Sequence, residues 1–339
     1  MSLSSESVPT PTAIFETLGA FRKTAILKSA IELGVFTAIA EGALTASAIA
    51  SVCPASERGM RILCDNLVLY GFLTKSGDIY QNTLNSSVFL NRHSPAYMGG
   101  IADFLCNDTM VVETIRDFTA CVRRGGTMMP GEGTVSDENP MWVEFARTMG
   151  PMMRPAAEAI AQQVPASGPL KVLDVAAGHG LFGISIAQRN PEAHIVALDW
   201  AGVLEVAKQN AAEAGVADRY STLPGSAFEV NPGIGYDLVL ITNFLHHFSP
   251  EVNEAFLRRA HAALKPGGMA ITLEFVPDES RTSPPVPANF AMIMLSTTTH
   301  GDAFTFSELD LMFRNAGFSS NTCHRIPTEQ SIIISVKSL

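Results

Sequence analysis

The chain has 339 residues, 47% of them hydrophobic and 17% charged, with a formal net charge of −10. That length accommodates two domains and a substantial core, and the composition leaves little for disorder. An acidic chain is poorly suited to neutralising phosphates, and Arg22-Lys23 and Arg123-Arg124 are too short to build a basic face, so no nucleic-acid partner is expected.

The five cysteines, Cys53, Cys64, Cys106, Cys121 and Cys323, include no CxxC pair. They predict reduced thiols in a cytoplasmic protein, with neither a disulfide frame nor a zinc site. The start, Met1-Ser-Leu-Ser-Ser-Glu6, lacks a basic segment followed by an apolar one, so no signal peptide is expected. No uncharged apolar run reaches the roughly 18 residues of a bilayer span, so no membrane partner is expected.

The first half reads mainly as helices. Apolar residues recur at helical spacing from Pro11 to Leu33, and Gly34 can cap that helix. A short helix follows at Thr45–Ala50, and another runs from Ser56 to Tyr70, ending at Gly71. Phe72–Lys75 and Ile79–Asn82 flank Ser76-Gly77-Asp78 and predict a β-hairpin. Helices followed by a small hairpin form a winged-helix pattern. Ile101–Arg124 predicts one amphipathic helix, Met128–Pro140 a Gly/Pro-rich loop, and Trp142–Val164 a long helix kinked at Pro151 and Pro155.

Pro165-Ala-Ser-Gly-Pro169 reads as a domain boundary, after which strands and helices alternate. Alternation implies a mostly parallel sheet with helices on both faces. The strands are expected at Lys171–Ala176, His194–Asp199, Tyr220–Leu223, Tyr236–Ile241 and Met269–Phe275. After a helix at Ser307–Ala316, two more are expected at Asn321–Ile326 and Ser331–Val336.

The first strand ends in Gly178-His-Gly180-Leu-Phe-Gly183, and Asp199 closes the second strand about 20 residues on. This is a nucleotide-binding βαβ unit with an acid placed for a ribose diol. The glycines alone satisfy G-x-G-x-x-G, which a nicotinamide dehydrogenase shares. Three features turn the reading towards S-adenosylmethionine (SAM). Asp174 sits inside the first strand, where a carboxylate can reach a charged methionine end. The unit lies after a long helical region. The fourth strand runs on into Leu240-Ile-Thr-Asn-Phe-Leu-His-His-Phe-Ser-Pro-Glu251.

With Leu264-Lys-Pro-Gly-Gly268 beyond that segment, nearly the whole chain resembles the class I SAM-dependent small-molecule O-methyltransferases. That family includes plant caffeate/flavonoid-type and bacterial polyketide and carotenoid-pathway enzymes. Ala30–Phe36 looks like its N-terminal dimerisation domain. Phe145 and Met149 match an element flanking methyl donor and substrate. Asp199 and Trp200 match the ribose-binding acid and its neighbour. Gly225-Ser-Ala-Phe228 matches the segment beside the adenine, and Leu245–Glu251 matches Leu-His-Asp-Trp-x-Asp-Glu.

The resemblance implies a Rossmann-like α/β domain at residues 166–339, with seven strands in the order 3-2-1-4-5-7-6 and the seventh antiparallel. It implies a winged-helix-like dimerisation domain at 1–100, hence a homodimer, and helices at 101–165 that connect the two and cover the acceptor site. SAM is the expected cofactor, held by Asp174, Gly178, Gly180, Asp199, Trp200, Ser226, Ala227, Phe228, Asn243, Phe248, Phe145 and Met149. The acceptor is expected between the domains, beside His246 and against Phe104, Met153, Phe290 and Met294, with Met128, Met129, Met152 and Met292 as further lining.

His246 falls on the family's base position and Glu274 on the carboxylate that orients it. A phenol with a pKa of about 10 is a weak nucleophile at neutral pH, and a neutral imidazole titrating near ~6.5 can take its proton. His247, where the family has Asp, is expected to face solvent or cofactor. Ala303 stands where the family often has a second glutamate, beside Asp302. The implied activity is O-methylation of a hydroxylated aromatic or polyketide-like metabolite. C-methylation stays open, including a metal-assisted form on a 2-oxo acid through His246, His247, His300 and Asp302, although adjacent residues on an extended chain point apart. No metal is expected. A dehydrogenase, or a winged-helix regulator that senses SAM, are the readings from other classes.

Overall fold

The computed structural model describes residues 10–339, apart from the side chains of Val112 and Glu113, so Met1–Glu6 lies outside the described residues. Two compact units divide the chain, one up to Ala102 and one from Asp103.

In the first unit, helices Thr12–Gly19, Phe21–Leu33, Val35–Ala40, Ala46–Val52 and Glu57–Leu69 precede a hairpin. The single helix expected over Pro11–Leu33 breaks at Ala20. Its first part buries no side chain, so no packing offsets the poor helix propensity of Gly19. Thr45 and Ser56 cap their helices through side-chain oxygens that accept Ala48 N–H and Gly59 N–H. Strands β1 (Leu73–Ser76) and β2 (Ile79–Asn82) pair antiparallel, with Ser76 opposite Ile79, so the turn is the two residues Gly77-Asp78. Phe36, Ile49, Met60, Leu67, Leu73 and Tyr80 are the buried centre.

The second unit carries a seven-stranded sheet: β3 (Leu170–Val175), β4 (Ala193–Asp199), β5 (Tyr220–Pro224), β6 (Tyr236–Thr242), β7 (Leu264–Glu274), β8 (Ser320–Arg325) and β9 (Ser331–Val336). The order is β5-β4-β3-β6-β7-β9-β8. β3 to β7 run parallel and β9 is antiparallel to both its neighbours. In the numbering of the sheet alone this is the expected 3-2-1-4-5-7-6. Central strands read as near-continuous apolar runs because helices cover both faces; β6 buries six of its seven residues. The order reverses at β3, between β4 and β6, and the crevice at the strands' carboxyl ends there is the fold's natural ligand site.

Residues 103–165 belong to this second unit. Helix Gly150–Ala161 buries Met153, Ala156, Ala157 and Ile160 and packs on helix Leu181–Arg189. The long helix expected from Trp142 is two, Met141–Thr148 and Gly150–Ala161; the break falls before Pro151, which lies in the second helix's first turn, while Pro155 sits inside that helix. The helix expected over Ile101–Arg124 is also broken. Asn107 turns its side chain onto the backbone, accepting Met110 N–H at 2.8 Å and donating to Phe104 O at 2.8 Å, which ends one short helix and starts the next.

Candidate active site

The glycine turn after β3 is forced into shape by what lies under it. Gly178 and Gly180 have φ of 55° and 74°, a region that L side chains rarely adopt. Gly183 leaves no room for a side chain: a Cβ there would stand 2.7 Å from Ile195 Cγ2 and 2.9 Å from Asp174 Oδ2. Asp174 is fully buried beneath the turn, with Oδ2 accepting Gly183 N–H at 3.1 Å and Oδ1 without a partner. Burial pushes its carboxyl well above the usual carboxylate range, against the opposing pull of Gly183 N–H.

Asp199 is the contrasting acid. At the end of β4 its Oδ2 accepts Gly178 N–H at 2.8 Å and its Oδ1 accepts Trp200 N–H at 2.7 Å. Burial raises its pKa to about 6, the two amides pulling the other way. It lines a cavity of about 440 Å³, well within the size of small-molecule sites.

That cavity opens at the ends of β3, β4 and β6 and brings together most of the predicted residues. Gly178, Asp199 and Trp200 form one wall. Ser226, Ala227, Phe228 and Phe248 form the next, the Phe228 and Phe248 rings meeting edge to face at 4.9 Å. Phe104, Phe145, Met149, Met152 and Met153 come from the helices at 101–161, and Phe290 and Met294 from helix Pro285–Thr297. Asn243, with φ of 54°, donates to Met153 Sδ at 3.8 Å and accepts from the Gln330 amide.

Several residues do not line it. Asp174, beneath the turn, and Gly180, within it, are not among the walls; one oxygen of the carboxylate expected to reach a ligand accepts Gly183 N–H instead. Met128, Met129 and Met292 are also absent from the walls. Conversely, Trp142 and His179 line it without belonging to any of the motifs above that mark the site. Trp142 comes from the start of its helix, where its Nε1–H donates to Thr134 O at 2.9 Å. His179 occupies the middle of the Gly178-His-Gly180 turn and is 2% exposed. Its Nδ1 accepts Leu181 N–H at 3.1 Å, its ring stacks with Phe145 at 6.4 Å, and burial lowers its pKa to about 4. A histidine between two turn glycines was the available signal.

His246 stands in the turn Leu245–His247 that follows β6, 4% exposed. Its Nδ1 lies 2.5 Å from Glu274 Oε2, while Glu274 Oε1 accepts Phe244 N–H at 3.1 Å and Leu245 N–H at 2.9 Å. The carboxylate at the end of β7 thus binds both the ring and the turn carrying it. A carboxylate on Nδ1 fixes the proton there and leaves Nε2 bare. Phe290 meets the ring edge-on at 4.8 Å and stacks on Phe275 at 4.2 Å. His247 lines the cavity next to it, its ring 4.3 Å from His246 and 5.3 Å from Trp142.

Asp302 turns elsewhere: its carboxylate pairs with Arg281 at 3.3 Å and accepts Ala303 N–H at 2.8 Å, while its own N–H holds His246 O at 2.9 Å. Among the described residues no group of three or more His, Cys, Asp or Glu is placed to hold a metal ion. No described helix is long and apolar enough to cross a membrane.

These walls fit an adenosine sulfonium cofactor. A strand-end carboxylate offers acceptors to a diol, a backbone turn without side chains permits close approach, and apolar rings suit a purine. Comparison with known proteins agrees. The profile of the O-methyltransferase dimerisation domain matches residues 15–92, and that of the O-methyltransferase domain matches residues 132–319. The chain belongs to the O-methyltransferase family. It is a SAM-dependent methyltransferase.

Family members of known activity lie at modest identity. The chain is 26% identical, over 97% of its length and 96% of the relative's, to 3-hydroxy-5-methyl-1-naphthoate 3-O-methyltransferase of Streptomyces sahachiroi. It is 24% identical, over 91% of each, to the tetracenomycin polyketide synthesis 8-O-methyltransferase of Streptomyces glaucescens. The crystal structure of a candidate O-methyltransferase from Nostoc punctiforme PCC 73102 is 48% identical, covers 98% of this chain and all of its own, and superposes with a TM-score of 0.93.

Proposed function

We propose that this methyltransferase moves the methyl group of SAM to a hydroxyl oxygen of an aromatic or polyketide-like metabolite, with His246 as the base. The observation that carries this is the buried pair His246–Glu274, 2.5 Å apart, with the ring in the cavity wall. Bound SAM supplies an electrophilic methyl on a sulfonium sulfur. Asp199 holds the ribose hydroxyls. Ser226, Ala227, Phe228 and Phe248 border the adenine, and Gly178, Trp200, Asn243, Phe145 and Met149 complete the enclosure. His246 Nε2 takes the acceptor's hydroxyl proton as the C–O bond forms and the C–S bond breaks, the sulfur keeping the electron pair. Glu274 holds the ring's orientation and steadies the imidazolium, so one carboxylate serves where relatives often use two.

Residues 1–100 pair two copies into a homodimer, and 101–165 cover the acceptor end of the cavity. The dimerisation-domain match supports the first statement, as do Ile14, Phe15 and Leu18, which are 61–70% exposed on a helix that buries nothing. A cytoplasmic location is in keeping with the free thiols of Cys53, Cys64, Cys121 and Cys323.

The test is product identity. With methyl-labelled SAM and a set of phenols, the product is expected to carry an O-methyl signal by NMR, and Glu274→Gln to lower kcat with the SAM dissociation constant unchanged. A C-methyl product, or full activity in Glu274→Gln, would overturn the reading.

A further inference from the structure

We propose that His247 donates a hydrogen bond to the methyl acceptor, and so selects compounds whose reacting hydroxyl lies beside a carbonyl oxygen, in the ortho- or peri-hydroxy carbonyl arrangement. This rests on the O-methyl transfer reading above and adds the class of acceptor to it.

The argument runs through the two nitrogens of the ring. His247 Nδ1 is buried and has no hydrogen-bond partner. Nε2 has none either among the described residues, but it is not a buried atom, and the ring lines the cavity. A neutral imidazole carries one N–H and one bare nitrogen. A buried N–H without an acceptor is rare, and Nδ1 has no acceptor to meet, whereas an N–H on Nε2 opens to the cavity where a ligand can accept it. The bare nitrogen is therefore the buried Nδ1, and the N–H is Nε2, which reaches the cavity. Burial, and then the neighbouring His246, hold the ring neutral by pushing its pKa well below the ordinary histidine value.

His246 has the opposite tautomer. Its Nδ1–H is committed to Glu274, so Nε2 is bare. With ring centroids 4.3 Å apart, the two histidines present a proton acceptor and a hydrogen-bond donor side by side. That pair is the complement of an O–H beside a C=O. In such a molecule the hydroxyl is tied back to the carbonyl by an internal hydrogen bond. A donor from His247 competes for the carbonyl and frees the hydroxyl proton for His246. In the transfer the C–S bond breaks, the C–O bond forms, the sulfur keeps the electron pair, and the hydroxyl proton ends on His246. His247 gives up no proton.

The experiment uses the full-length enzyme with two isomer pairs, 1- and 2-hydroxyanthraquinone and 2- and 4-hydroxyacetophenone. One member of each pair carries the neighbouring carbonyl. The ratio of kcat/KM within a pair is expected to fall about tenfold in His247→Leu and to recover in His247→Gln, whose amide can donate. Binding of the quinones, followed by their visible absorption without SAM, should weaken for the 1-isomer alone. If wild type and His247→Leu discriminate alike, the donor role is wrong while O-methyl transfer stands. Should His247→Leu not fold, a wild type that binds both quinone isomers equally overturns the proposal. If the wild type methylates none of the four phenols, both this proposal and the reading beneath it fall.

Discussion

The two walls of the cavity are built on different principles. On the side proposed for the cofactor, backbone and short-range sequence do the holding: the turn at Gly178–Gly183, Asp199 with both oxygens on main-chain amides, and Asp174 bracing from beneath. On the side proposed for the acceptor, side chains do it. Trp142 and Met153 come from helices far in sequence from the one that carries Phe290 and Met294, while His246 and its Glu274 partner are fixed at strand ends. A ligand common to a family can be held by backbone geometry that few substitutions alter. A ligand that differs between members is better met by apolar side chains, which exchange with little cost to the fold.

Perturbing each side separately should break or sharpen this contrast. The largest effect is expected from Asp199→Ala. It removes the proposed diol acceptor and orphans Gly178 N–H and Trp200 N–H, so SAM affinity by calorimetry should fall ~100-fold or more; an unchanged dissociation constant would sink the cofactor-side description. His246→Ala comes next: turnover should drop by about 10²-fold while SAM affinity stays, since the proposed base acts only on the acceptor. Gly183→Ala should cost roughly 1–3 kcal/mol by forcing Asp174 and Ile195 apart, read as a lower melting temperature; a wild-type melting curve would mean the turn gives way freely.

The smallest effect is one of pH. In the proposed role of Asp199, ribose hydroxyls donate to the charged carboxylate, so binding would lower its pKa from about 6. Affinity is then complete above pH 6 and is lost as pH falls, about tenfold between pH 7 and 5. Flat affinity across that range would contradict a buried, titrating Asp199.

The contrast also explains what could be read from sequence. The β1–β2 hairpin, the seven strand segments and the strand-end places of Asp199 and His246 rest on local signals, a Gly-Asp turn, apolar runs between glycines and strand-end polar residues, while the order of the strands follows only from the family resemblance. Three kinds of feature escaped. Asn107 and Gly150-Pro151 split helices whose apolar spacing runs straight through them, because the hydrogen bonds and sterics that break a helix leave that spacing intact. Asp174 carries a charge pattern that suits a ligand, yet the depth of β3 in the sheet turns it inward, which no spacing records. Trp142 is held at the cavity by a hydrogen bond to a loop that is itself bonded to a distant helix, a contact no spacing records.

That anchoring has a dynamic consequence. Thr127 and Thr134 donate their hydroxyls to Ser296 O and Thr297 O, at 2.7 and 3.1 Å. Their main-chain N–H groups reach Thr298 O and Thr297 O, both at 2.9 Å, and Thr134 O in turn receives Trp142 Nε1–H. A stretch with neither helix nor extended strand is therefore stitched to the end of helix Pro285–Thr297. In hydrogen exchange, the amides of Thr127 and Thr134 should open together with that helix end, as one cooperative unit, and exchange far more slowly than an irregular loop would.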